Sequence, residues 1–209
     1  EHYSDARHFK AIGLMSMLGG CTGINYYMFF GGTHFSGWGA RGMTTSYDYN
    51  AAIRECGAVG EKYLAAKGIG EFIRKYEEQL TRSVGGPCEI KGVPESVFGG
   101  VRIAKDGTRF IFLHNTDIKK VCKGNATLLP GKIKSPQKAM YNIDQNGNKV
   151  LMHANEIQQN DSLVVEPITV DYELKPLDTK VLVLKPGASS MDGVWWPKQQ
   201  SAIKRPSRL

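Results

Sequence analysis

Two carboxylates, Asp48 and Glu55, stand in a stretch dense with aromatic and hydroxyl side chains. Asp48 lies between Tyr47 and Tyr49, downstream of Gly32, Thr33, His34 and Trp38. A pair of carboxyl groups held a few ångströms apart can share nucleophilic and acid/base work. A single carboxylate in a loop has a plainer use, which is to accept hydrogen bonds from turn amides. Asp48 is open to both readings, as an anchor behind a pocket or as loop structure. The four cysteines, Cys21, Cys56, Cys88 and Cys122, are widely spaced and form no C-x-x-C pair. No metal site is expected from them, and neither their spacing nor any motif implies a cofactor. Buried free thiols and one disulfide both fit.

Those residues need elements to hold them. Ser4 can cap a helix running to about Leu18, and Gly19-Gly20 is a C-terminal stop signal. Ile24 to Phe30 is almost wholly apolar and aromatic, the pattern of a parallel strand buried on both faces. Glycines at 31, 32, 37, 39 and 42 make the next segment a loop. A second helix is predicted over Glu61 to Leu80. Ile69, Phe72, Ile73, Tyr76 and Leu80 fall on one face, and Lys62, Lys67, Arg74, Lys75, Glu77 and Glu78 lie mostly away from it. Helix, buried strand, long loop and helix is the end of an α/β barrel or of a doubly wound sheet.

From Ser83 to Pro87 the composition changes and strands take over. Val97 to Lys105 and Thr108 to Asn115 flank Asp106-Gly107, a hairpin signal, and Ala139 to Ile143 and Lys149 to His153 flank Asn146-Gly147. Ser162 to Val165, Ile168 to Leu174 and Lys180 to Leu184 complete an antiparallel sandwich or barrel. The chain is thus read as an α/β portion over 1–84, an antiparallel β domain over 85–188 and a linker over 189–209.

The 209 residues carry a net charge of +7, but the basic residues are scattered and no nucleic-acid-binding signature accompanies them. Ala11 to Thr33 contains no charge, yet Gly19-Gly20 and Thr22-Gly23 break it, so a buried helix, turn and strand explain it better than a membrane span. The sequons at Asn125 and Asn160 would permit glycosylation in a secreted or lumenal setting. The chain opens on Glu1 and closes on Ser201 to Leu209, which reads as a connection, so both ends are expected to be cuts.

Asn25-Tyr26-Tyr27-Met28-Phe29, Gly31-Gly32-Thr33-His34-Phe35 and Thr44-Thr45-Ser46-Tyr47-Asp48-Tyr49-Asn50-Ala51-Ala52-Ile53, continued by Glu55-Cys56-Gly57, together resemble glycoside hydrolase family 35. The resemblance covers roughly forty positions in order and spacing. It implies the last β/α unit of a (β/α)₈ barrel followed by β domains, in a retaining enzyme that hydrolyses terminal β-D-galactosides. It makes Tyr49 the tyrosine that contacts the sugar, with Gly32, Thr33, His34, Trp38, Tyr47 and Asp48 as possible pocket-loop residues. Tyr26, Tyr27 and Phe29 are expected to be barrel core and wall. The family's two catalytic glutamates would precede this chain. Glu1 is followed by His2-Tyr3-Ser4 instead of the aromatic residues and W-G that follow the family nucleophile, so no catalytic residue is assigned. The partners implied are a β-galactoside and the remainder of the barrel. Three positions depart from the pattern: His34 replaces Asn, Asn50 replaces Asp and Ala52 replaces Pro. An alternative reading is therefore a carbohydrate-binding or structural descendant without catalysis.

Overall fold

A computed structural model describes residues 5–36, 38–39, 42, 44–81, 83–134, 141–143, 146, 148–151, 162–187 and 192–193. The first helix, α1, spans Ala6–Leu18. Its cap is Asp5 and not Ser4, which lies outside the described residues. The Asp5 carboxylate accepts from the amides of Arg7 and His8, each at 2.9 Å, which satisfies two of the amides a helix start leaves open. The helix ends at Gly19, and Gly20 takes φ +93°, the left-handed turn that the glycine pair signals.

The second predicted helix is two. α2 spans Glu61–Lys75, the chain bends at Tyr76, and α3 covers Glu77–Thr81. Lys62 is a further correction: it is buried and not on a solvated face, because it sits in the first turn, where the preceding loop and the start of α1 close over it. Ile69, Phe72 and Tyr76 are buried as their periodicity requires. Gly13 of α1 packs against Ile69, whose Cδ1 would lie 2.8 Å from any added Cβ, so the two helices approach closely there.

Ile24 to Phe30 forms no strand. Its one ladder contact is an isolated parallel bridge from Phe30 to Ile53. An apolar run becomes a parallel strand only when neighbours on both sides take its amides and carbonyls. Among the described residues it meets only the arm around Ile53, whose amide donates to the Phe29 carbonyl, and that is too little to make a ladder.

The strands are β1 Val84–Pro87, β2 Glu89–Lys91, β3 Val97–Ile103, β4 Arg109–Asn115, β5 Cys122–Leu129, β6 Gly131–Lys134, β7 Tyr141–Ile143, β8 Lys149–Leu151, β9 Ser162–Val165, β10 Ile168–Leu174, β11 Thr179–Leu184 and β12 Asp192–Gly193. They form a five-stranded sheet ordered β1-β3-β4-β11-β12, a three-stranded sheet ordered β10-β5-β2, and the pairs β6-β9 and β7-β8, all antiparallel. The predicted hairpins are present at Asp106-Gly107, where the Thr108 amide donates to Asp106 Oδ1 at 2.8 Å, and between β7 and β8. The composition change at Ser83 to Pro87 is not an open link, since β1 pairs with β3 along its whole length. Of the stretch read as a linker, Asp192–Gly193 pairs with β11, and the rest lies outside the described residues.

Each face of the five-stranded sheet belongs to a different core. Val97, Val101, Ile111 and Leu113 meet Ala126, Leu128, Ile168, Val170 and Leu174 of the three-stranded sheet. On the opposite face Phe110, Phe112, Val181 and Val183 receive Leu14, Met17 and Leu18 of α1 with Ile69 and Phe72 of α2. Fully burying side chains of this size stabilises the fold by roughly 1.5–3 kcal/mol each. The result is three layers, helices on sheet on sheet. Among the described residues no helix is long and apolar enough to cross a membrane.

Candidate active-site loop

Two arms of chain, 29–34 and 45–53, are zipped together by backbone bonds. The Gly31 amide donates to the Ile53 carbonyl at 3.0 Å, His34 to Thr45 at 2.8 Å, Tyr47 to Gly32 at 2.9 Å and Ile53 to Phe29 at 2.8 Å. The arms touch because residue 31 has no side chain: a Cβ there would lie 2.5 Å from Asp48 Cα.

Side chains reinforce the zipper. Glu55 accepts from the hydroxyls of Thr33, on one arm, and Ser46, on the other. These bonds hold its carboxyl below the usual carboxylate range, against a smaller effect of burial and of the Asp48 charge. Asp48 faces Arg54, whose Nε lies 2.8 Å from Oδ1 and 3.0 Å from Oδ2, and Oδ2 also accepts from the Glu55 amide at 3.3 Å. One N–H shared between two oxygens leaves Oδ1 with the ion pair but no well-directed hydrogen bond. Burial raises the Asp48 pKa, but the Glu55 amide, Arg54 and the Ala51 amide together lower it. Both carboxylates are ionised ties within the loop. Asp48 thus joins a turn amide to the Arg54 guanidinium.

The ties present a row of aromatic rings. Tyr47 is central: its hydroxyl lies 2.5 Å from that of Tyr27, the Tyr49 ring meets it edge-on at 4.9 Å, and the His34 ring does so at 5.5 Å. The hydrogen bond to Tyr27 raises the Tyr47 pKa, so the phenol stays protonated. His34 Nε2 is buried with no hydrogen-bond partner. Tyr27, Tyr47 and Tyr49 line a cleft of about 350 Å³ whose other wall is the start of α1, with Asp5 and His8, and Lys62 of α2. Burial lowers the Lys62 pKa, helped by the Arg54 charge and opposed by that of Asp5.

Of the residues singled out from sequence, Tyr47 and Tyr49 reach this cleft. Gly32, Thr33, His34 and Asp48 build the loop behind it. Trp38 does not line it and is 84% exposed. Tyr27, expected in a barrel wall, is 81% exposed at the cleft. The sequence does not mark Asp5, His8 and Lys62 as site residues, since they are remote from the loop and carry no motif of their own. Arg54 is missed too, although its spacing from Asn50 is visible. A larger cleft, about 470 Å³, lies at the other end of the helices beside Cys21, Ile24, Arg74 and Arg102. Its buried cation is fully employed: Arg102 donates to Ser83 Oγ and to the carbonyls of Leu18, Ser83 and Gly85. Among the described residues no group of His, Cys, Asp and Glu could hold a metal ion.

Residues 2–73 match the sequence model of glycosyl hydrolases family 35. The beta-galactosidase of Canis lupus familiaris is 41% identical over 73 residues, covering 32% of this chain and 10% of that protein. The beta-galactosidase of Homo sapiens is 41% identical over 100 residues, covering 46% of the chain and 14% of that protein. The beta-galactosidase-1-like protein of Mus musculus is 34% identical over 120 residues, 54% of the chain and 17% of its own length. The chain thus spans a small part of the relatives it matches.

Proposed function

Because this chain belongs to glycosyl hydrolases family 35 through residues 2–73, we propose that it forms part of a retaining β-galactosidase acting on terminal β-D-galactosides. In this reading residues 1–84 are the C-terminal portion of a (β/α)₈ barrel and 85–188 a β domain that braces it. Ile24 to Phe30 is the last barrel strand, awaiting its neighbours, and the exposed Tyr27, Phe30 and Phe35 are surfaces for the rest of that barrel.

The observation that carries the reading is Tyr49, 61% exposed at the mouth of a cleft it shares with two other tyrosines. A phenol in such a place offers a hydroxyl to sugar oxygens and a ring face to the sugar's C–H bonds. Retaining hydrolysis also needs two carboxyl groups about 5–5.5 Å apart, one to attack C1 and one to protonate the leaving oxygen. Asp48 and Glu55 are committed to Arg54, Thr33 and Ser46, and neither lines the cleft, so we assign the acid/base and the nucleophile to positions outside 1–209. What this chain supplies is the sugar-facing surface and its rigidity.

A purified 1–209 chain should not hydrolyse nitrophenyl β-D-galactoside. A longer polypeptide that adds the two glutamates should, and Tyr49→Phe in it should raise KM about tenfold, the effect of one hydrogen bond to a sugar oxygen. Hydrolysis by 1–209 alone would overturn the carboxylate assignment, and an unchanged KM would remove Tyr49 from the site. The replacements at 34, 50 and 52 favour the second reading, a descendant that binds the sugar without cleaving it. Galactose binding by a longer chain that cleaves nothing would decide for that reading.

A further inference from the structure

Tyr49 sits at φ +40° and Asn50 at φ +57°, consecutive left-handed residues, neither of them glycine. A tyrosine in that region is strained, and such a conformation persists only where its surroundings over-determine it. Asparagine tolerates the region better, and Ala52 contributes no ring to stiffen the turn. Something else must hold it.

Arg54 is placed to do so. Its Nε contacts both carboxylate oxygens of Asp48, at 2.8 and 3.0 Å, and its Nη1 donates to Asn50 Oδ1 at 2.5 Å. One guanidinium therefore holds the residue before Tyr49 and the residue after it. Arg54 is itself fixed by its backbone, whose amide donates to the Ala58 carbonyl at 2.8 Å and whose carbonyl accepts from the Gly57 amide at 2.8 Å. The planar fork of an arginine can serve two acceptors at fixed directions, which a lysine's single ammonium cannot. The head group is partly solvated, with 39% of the side chain exposed, so its removal opens no apolar cavity.

We propose that Arg54 is a positioning residue for Tyr49: by bridging Asp48 and Asn50 it holds the strained turn that aims the phenol into the cleft. The functional meaning of the aim rests on the sugar-site reading above, but the clamp itself does not.

The test is nuclear magnetic resonance on the 1–209 chain, reading the amide-to-Hα cross-peak within Tyr49, which is intense only at positive φ. In Arg54→Met that peak should fall roughly fourfold as the residue leaves the left-handed region, and in Arg54→Lys it should fall nearly as far. Signals from α1, α2 and the two sheets should stay in place. An unchanged Tyr49 peak in Arg54→Met overturns the clamp, and so does a collapse of the whole spectrum, which would make Arg54 merely structural. If the peak falls while galactose affinity in the longer polypeptide is unaltered, the clamp stands and the sugar role of Tyr49 fails instead.

Discussion

Lys10 of α1 and Asp178, at the head of β11, meet in a largely buried ion pair with Nζ 3.0 Å from Oδ1. The two side chains keep only 15% and 18% of their surface in water. Burial lowers the Lys10 pKa, and Asp178 works against that shift. The pair ties the helical layer to the five-stranded sheet beside the apolar contacts of Leu14 and Val181.

Removing one member strands the other's charge in a dry setting. Lys10→Met or Asp178→Asn should therefore lower unfolding free energy by about 2–3 kcal/mol, read from urea midpoints at neutral pH. The double variant should lose less than the two single losses added together, because each single loss includes the cost of the orphaned partner. Strict additivity would mean that the ion pair contributes nothing.

His114 gives the same junction a dependence on pH. Its Nδ1 lies 2.8 Å from Thr179 Oγ1 and 3.1 Å from the Asp178 carbonyl. Phe98 meets its ring edge-on across β3 and β4, His8 approaches from α1, and Lys10 pairs with the neighbouring Asp178. Burial lowers its pKa and the His8 charge adds to that, outweighing the Asp178 carbonyl and carboxylate. A depressed histidine pKa means that the unfolded chain takes the proton first. Stability from this group is complete above the unfolded pKa of about 6.5 and declines as the pH drops below it. Urea midpoints between pH 8 and pH 5.5 should fall for the native chain and fall less for His114→Gln. Parallel curves would show that other groups set the slope.

Limited digestion with the broad-specificity proteinase K should cut first, among the described residues, beside Phe35 or Trp38, which are 93% and 84% exposed. The stretch from Ser83 to Pro87 should resist, because β1 is laddered to β3 there. First cleavage between 82 and 88 would mean that this ladder opens readily in solution.

How much of the molecule is visible in its sequence varies with what each residue needs. α1 and α2 are legible because periodic apolar positions and, for α1, a glycine stop are local signals. The hairpin at Asp106-Gly107 is legible for the same reason. Ile24 to Phe30 misleads because its pattern specifies burial while its strand character depends on neighbours. β5 goes unread because the exposed Gly124 leaves a gap in the buried-side row of Cys122, Ala126 and Leu128. At the site the tyrosines stand out by type. Lys62 and Arg54 acquire their meaning from a fold-back that no spacing announces.

The helix face that carries Leu14, Leu18 and Phe72 is covered by Val181 and Val183, near the far end of the described chain. During synthesis from the N-terminus, α1 and α2 emerge long before their cover does. Until β11 is made, β4 lacks its neighbour on that side and the helices have only part of a surface to settle on. Contacts this distant in sequence are slow to form, and the apolar faces waiting for them are open to wrong partners in the meantime. A ribosome that stalls before the codon for Thr179 would thus leave the loop of 29–55 tethered to helices that have not found their place.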